Sequence, residues 1–256
     1  MDAAIDIIVI SYNTKDLLLA CLNSVQAFTP EPHQLIVVDN ASHDGTVKAL
    51  NQLEWSNLLV IENDHNLGYA KACNQGILAG HSPYIILLNS DVLATPGWLA
   101  PLLSCLRQDP RIAVVGPKMV DQQGRITGAG VVGTYEHHYP RGYLENDQPG
   151  KYEQQEDCFS VCGAAYLIAR EHLPILGLFD EHYFFYFEET DYSLHAHEND
   201  FRVVYCPSSK IYHLSGQSNH NHTQLRRYFE ESERYFRAKW KHLDRRSKED
   251  NNHDTH

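Results

Sequence analysis

Hydrophobic positions in the first half of the chain form short unbroken runs separated by helical stripes. Ile5–Ser11 reads Ile-Asp-Ile-Ile-Val-Ile-Ser, apolar at nearly every position rather than every second one. That is the mark of a strand buried on both faces. Residues 34–39, 58–63 and 84–88 repeat the pattern. Between them apolar residues recur at three- and four-residue intervals. Leu17, Leu18, Cys21, Leu22 and Val25 predict a helix over 16–28, and 46–53, 70–79 and 96–106 predict three more. Pro30 and Pro32 break the chain before the second strand, Asp44-Gly45 marks a turn, and Pro96 suits a first helical turn. Strands and helices in alternation build βαβ units, which imply an α/β fold with a mostly parallel sheet flanked by helices.

The second half is less regular. Residues 113–116, 159–169 and 202–205 read as strands, 188–197 as the start of a helix, and 121–150 as loops or a hairpin. A last helix over 223–243 offers Leu225, Tyr228, Phe229, Tyr235, Phe236 and Trp240 as buried positions. The residues after Arg245 are polar and are expected to be disordered. With no internal repeat and no linker, the expectation is one domain over 1–245. It would divide into a regular half (about 1–116), a less regular half (about 117–222) and a C-terminal helix (about 223–245), followed by a tail (246–256).

Composition narrows the function. With 33 acidic against 21 basic residues the formal net charge is −12, which argues against a nucleic-acid binder, whose phosphate contacts need clustered Lys and Arg. The apolar run at 5–10 is too short for an export signal and contains Asp6, and no stretch is long enough to span a bilayer. Six scattered cysteines without a CxxC pair read as free thiols. The expected location is therefore cytoplasmic.

In an open parallel sheet, ligands bind beyond the carboxyl ends of the strands. Here the strands run into Ser11-Tyr12-Asn13, Asp39-Asn40, Asn63 through Gly68, and Asn89-Ser90-Asp91. Each residue alone could serve a turn or a cap; four polar strand ends together point to a ligand. Asp39 suits a nucleobase imide or ribose hydroxyl, and Asp91 suits a hard cation. No Gly-rich phosphate loop follows the first strand, so phosphate charge must be met by a cation or by side chains, with Lys71 and Lys118 as helpers.

Taken in order, these blocks resemble glycosyltransferase family 2. The resemblance rests on Val9-Ile10-Ser11-Tyr12-Asn13, on Val37 through Thr46, on Asn66-Leu67-Gly68-Tyr69-Ala70-Lys71, and on Leu88-Asn89-Ser90-Asp91. It continues through Cys162-Gly163-Ala164-Ala165 and Phe179-Asp180-Glu181 to Phe187-Glu188-Glu189-Thr190-Asp191, and its closest flavour is the rhamnosyltransferase-like branch. It implies a GT-A fold with a smaller acceptor-side mixed sheet, a UDP- or dTDP-sugar donor and inversion at the anomeric carbon. It implies donor contacts from Ser11, Tyr12, Asn13, Asp39, Asn66, Gly68, Lys71, Asn89, Ser90 and Asp91. Asn89-Ser90-Asp91 stands at the family's DxD position with Asn for the first Asp, leaving Asp91 as the main ligand of Mn2+ or Mg2+. His213, in Tyr212-His213-Leu214-Ser215-Gly216-Gln217-Ser218, matches a late metal or diphosphate histidine. Glu189 holds the place of the catalytic base, where the family usually has Asp; Asp191 and Glu188 are the other acids of that block.

The implied partners are the nucleotide sugar and a glycan or lipid-linked acceptor. The aromatic run Tyr183 through Phe187 reads as core, with a wall against an acceptor sugar as the alternative. The basic residues of the last helix suggest peripheral contact with the inner face of the membrane, although Glu230, Glu231 and Glu233 interrupt them and favour a helix packed on the domain. A homodimer is also compatible with the sequence. Two competing readings are a sugar-nucleotide nucleotidyltransferase and a non-catalytic nucleotide-sugar binding module. The first usually carries a Gly-rich, Arg-containing loop after the first strand, and Ser11-Tyr12-Asn13-Thr14-Lys15 is not one.

Overall fold

The structure is a computed structural model, and it describes residues 4–214 and 222–243. The end of the late-histidine segment, 215–218, and the polar tail lie outside the described residues.

The four expected strands are β1 (Ile5–Ser11), β2 (His33–Asp39), β3 (Leu58–Glu62) and β4 (Tyr84–Asn89). All four run parallel, in the order β4-β1-β2-β3. Every side chain of β1 is buried, which explains its unbroken apolar run. Helices α1 (Lys15–Phe28), α2 (Thr46–Leu50) and α3 (Tyr69–Ala79) make the crossovers. Helix α2 stops three residues short of the expected end. Asp6, the charge inside β1, is buried but satisfied: it accepts from Ser82 N and Oγ and pairs with Arg170 at 2.8 Å.

The second half adds strands to the β4 edge. Strand β5 (Val92–Leu93) precedes α4 (Leu99–Leu106), which leads to β6 (Ile112–Val120). Short strands β7 (Ile126–Gly128), β8 (Val131–Gly133), β9 (His138–Pro140) and β10 (Glu156–Asp157) follow. Next come β11 (Ala165–Ala169), the short α5 (Leu173–Leu176), α6 (Glu188–Glu198), β12 (Arg202–His213) and α7 (His222–Trp240). The main path of the sheet runs β10-β12-β6-β11-β4-β1-β2-β3, with β11 antiparallel to both neighbours. Strands β8 and β9 form a separate antiparallel pair. This is a GT-A architecture.

Four further expectations need correction. The strand expected over 113–116 runs through Pro117 to Val120, because the ladder with β12 shifts register between Cys206 and Lys210 and so accommodates a proline. The strand expected over 202–205 reaches His213, whereas only the last five residues of 159–169 are extended. On α7, Phe236 and Trp240 are buried as expected, but Phe229 is 44% exposed. All six cysteines are free thiols. Among the described residues, no helix is long and apolar enough to cross a membrane.

Candidate active site

Sheet order reverses between β1 and β4: β2 and β3 extend to one side of β1, and β4 to the other. A crevice of about 330 Å³ opens beyond the carboxyl ends at that point, where open α/β sheets bind ligands. Ile10, Tyr12 and Thr14 line it from the end of β1, Asn40 from β2, and Asn66, Gly68 and Tyr69 from the turn into α3. Asn89 and Ser90 line it from β4. The opposite wall is Phe184, Phe185, Gln224 and Tyr228.

The expected donor residues divide into wall and scaffold. Tyr12 is 42% exposed on the wall. Ser11 is fully buried behind it, its Oγ 3.3 Å from Thr14 Oγ1. Asn13, at φ 54°, accepts from His43 N at 2.7 Å and so ties the first turn to the second. Asp39 is buried, and both its oxygens accept from Ser42, from N at 2.8 Å and from Oγ at 2.6 Å. The next residue, Asn40, reaches the crevice wall and donates to Gly68 O at 3.1 Å. Asn66 caps its own turn by accepting from Gly68 N at 2.9 Å. Gly68 has φ +87°, and a Cβ there would lie 2.7 Å from Phe184 O; only glycine fits both demands. Lys71 is exposed in the first turn of α3, and Lys118 is buried against Asp147 at 3.0 Å.

Asp91 is brought to His213 by strand register. His213 pairs with Val92 across β12 and β5, and Leu214 N donates to Asp91 O at 2.9 Å. Asp91 Oδ1 and His213 Nε2 then stand 3.5 Å apart, with side chains 2% and 14% exposed. A carboxylate and an imidazole about 3 Å apart suit two ligands of one octahedral cation. No group of three or more such ligands converges among the described residues. Two protein donors fit magnesium or manganese, which commonly take a carboxylate or two plus diphosphate oxygens.

The acids of the Phe187-Glu188-Glu189-Thr190-Asp191 block have three different surroundings. The block starts from a strained turn: Tyr186 and Phe187 sit at φ 72° and 71°, unusual for aromatic residues. The Phe187 ring, 5.3 Å from that of Phe236, and Phe185 O, accepting from Ser232 Oγ at 2.8 Å, hold that turn against α7. Glu189 lies against Gly163, where an added Cβ would be 3.2 Å from Glu189 Cγ. Gly163 O accepts from Tyr69 Oη on the crevice wall, and Ala164 O accepts from Asn89 N, so Glu189 and β4 meet through residues 163–164. Burial pushes the neighbouring Cys162 thiol up to about 12, and the charges of Glu189 and Asp91 add to it. Burial also raises Glu189 above the ordinary carboxylate range, against backbone and Thr190 hydrogen bonds that lower it.

Glu188 is buried, and its Oε2 has no hydrogen-bond partner among the described residues. Burial, and then the Glu189 charge, hold its carboxyl well above the usual range. Asp191 turns away from the crevice. It accepts from Tyr183 Oη at 3.0 Å, Trp240 Nε1 at 2.7 Å and Lys239 Nζ at 2.8 Å.

A family model described as glycosyl transferase family 2 matches residues 6–171. The chain belongs to that family. Among curated glycosyltransferases, the N-acetylglucosaminyl-diphospho-decaprenol L-rhamnosyltransferase of Mycobacterium tuberculosis is 26% identical over 244 residues, covering 85% of this chain and 78% of the relative. The O-antigen biosynthesis protein RfbC of Myxococcus xanthus is 28% identical over 224 residues, but this chain spans only 17% of its length. GalNAc-T7, solved with UDP, GalNAc and Mn2+, superposes with a TM-score of 0.67 at 16% identity over 82% of this chain and 44% of its own. A mannosyltransferase from Pyrobaculum calidifontis, solved with GDP-Man and Mn2+, gives 0.65 at 17% identity over 89% and 61%. These likenesses establish the GT-A fold of this glycosyltransferase. Sequence reasoning missed Thr14, Gln224 and Tyr228 as wall residues, whereas Tyr69 lies within the Asn66–Lys71 block that the resemblance pointed to.

Proposed function

We propose that the chain is an inverting, metal-dependent glycosyltransferase that moves a sugar from a UDP- or dTDP-sugar to a glycan or lipid-linked acceptor. The observation that carries this reading is the buried Asp91–His213 pair after β4, a strand whose end Glu189 meets through residues 163–164. Asp91 and His213 would hold Mn2+ or Mg2+, which supplies charge neutralisation for the leaving diphosphate. Ser11, Tyr12, Asn13, Asp39, Asn66, Gly68, Asn89 and Ser90 form the donor side, with Asn40 added to it.

Glu189 takes the proton of the acceptor hydroxyl as that oxygen attacks the anomeric carbon from the face opposite the diphosphate. Its raised proton affinity suits a base working near neutral pH. Asp191 positions α6 rather than acting on substrate. Rhamnose is the sugar favoured by the mycobacterial relative, whose name also favours a lipid-linked acceptor; such an acceptor would be met at the inner face of the membrane. Residues 1–245 work as one unit in this reading.

Calorimetry with UDP, dTDP, GDP and ADP in the presence of Mn2+ tests the donor. A pyrimidine diphosphate should bind tighter than ADP; equal or weaker binding would refute the donor class.

A further inference from the structure

The end of the crevice farthest from Asp91 is aromatic and is assembled from two distant parts of the chain. Phe184 leans on Gly68, where an added Cβ would lie 2.9 Å from its ring. Tyr228 of α7 sets its ring 4.6 Å from that of Phe184, tilted by 32°. Gln224, one turn earlier, donates to the Tyr228 hydroxyl at 2.6 Å. All of them lie beyond residue 171, where the family match ends.

Sheet order decides which part of a ligand this aromatic end meets. Asp91 follows β4, and Gly68, in the turn from β3 into α3, accepts from Asn40 at the end of β2, so that β1 lies between them. At about 4.8 Å per strand the two ends are separated by about 10 Å. An extended nucleoside diphosphate can bridge such a span with its phosphates at one end and its base at the other. With the phosphates beside Asp91 and His213, the base falls between Tyr12 and the Phe184–Tyr228 pair.

We infer that Phe184 and Tyr228 form a second stacking face for the donor's nucleobase, opposite Tyr12, with Gln224 orienting the Tyr228 ring. This rests on the donor reading above. Stacking accepts any base, because every base has a π face. The aromatic wall therefore contributes affinity, and the polar residues at the strand ends are left to discriminate between bases.

Titrations of the full chain with UDP, dTDP, GDP and pyrophosphate in Mn2+ test the wall. Tyr228→Ala should weaken every nucleoside diphosphate by about tenfold, leave pyrophosphate unchanged and preserve the order of base preference. Tyr228→Phe, which keeps the ring, should restore most of the affinity. Unchanged UDP binding in Tyr228→Ala overturns the wall alone. A wild-type chain that binds no nucleoside diphosphate overturns the donor reading and the wall with it. Photolabelling of the wild type with 5-azido-UDP needs no variant to fold: adducts should map to 183–187 or 222–240, and adducts confined elsewhere refute the assignment.

Discussion

Trp240 Nε1 donates to Asp191 Oδ1 at 2.7 Å, so the acid block at the start of α6 is fastened to the last turn of α7. Two more donors, Tyr183 Oη and Lys239 Nζ, complete the same carboxylate. Asp191→Ala would leave Tyr183 Oη and Trp240 Nε1 without this acceptor in a mostly buried place, while Lys239 keeps Asp180 at 2.8 Å. The expected cost is about 3 kcal/mol in chemical denaturation, since hydrogen bonds to buried charges are costly to break. Asp191→Asn should cost less. A variant as stable as the wild type would remove Asp191 from its structural role.

Glu189→Gln should leave UDP or dTDP binding intact and lower kcat by about a hundredfold or more. Because burial raises Glu189, the acid limb of the kcat/KM profile should lie above the ordinary Glu value of about 4.3, and the glutamine variant's residual rate should lack that limb. Gly163→Ala presses on Glu189 Cγ and should lower kcat by about tenfold at unchanged donor affinity. Normal transfer by the glutamine variant would dismiss Glu189 as the base.

Glu188 gives a pH signature in stability rather than rate. Its carboxyl holds a proton more tightly folded than unfolded, so the native state binds more protons above the unfolded value of about 4.3. Its contribution is therefore full at acid pH and lost as pH rises through the folded value. Glu188→Gln should flatten that decline and leave the protein at least as stable as the wild type at pH 8. Urea unfolding at several pH values measures it; an unchanged slope would show that Glu188 is not proton-holding.

Chelation should abolish transfer, and added Mn2+ should restore it. Asp91→Ala should eliminate the metal-dependent part of nucleotide binding, while His213→Ala should reduce it without eliminating it. Metal-independent binding of equal strength in the Asp91 variant would displace the proposed cation site.

The parallel half of the fold was legible because β1, β2 and β4 are buried on both faces, which writes an apolar run into the sequence; β3, at the sheet edge, keeps the apolar run but is only partly buried. Strand β12 was only partly legible. Beyond Cys206 its burial alternates and its ladder shifts register, so the pattern that announces a central strand fades. Asp91 and His213 stood out as residue types, but their 3.5 Å approach depends on β5 pairing with β12, a contact between residues 119 and 121 positions apart. Asp39 combines two readings that the sequence offered separately. It stands at a strand end as a ligand contact would, and its oxygens each accept from Ser42, a local bond that fixes the carboxylate there.

The latch on α7 has a consequence for how the protein is made. A nascent chain that has emerged as far as His213 already possesses every described strand of the sheet and both members of the Asp91–His213 pair. It still has Asp191 exposed to water and the Tyr186–Phe187 turn without its aromatic clamp. The left-handed turn that aims Glu189 can settle only when the following helix arrives, so binding competence at the strand ends should precede transfer competence during synthesis.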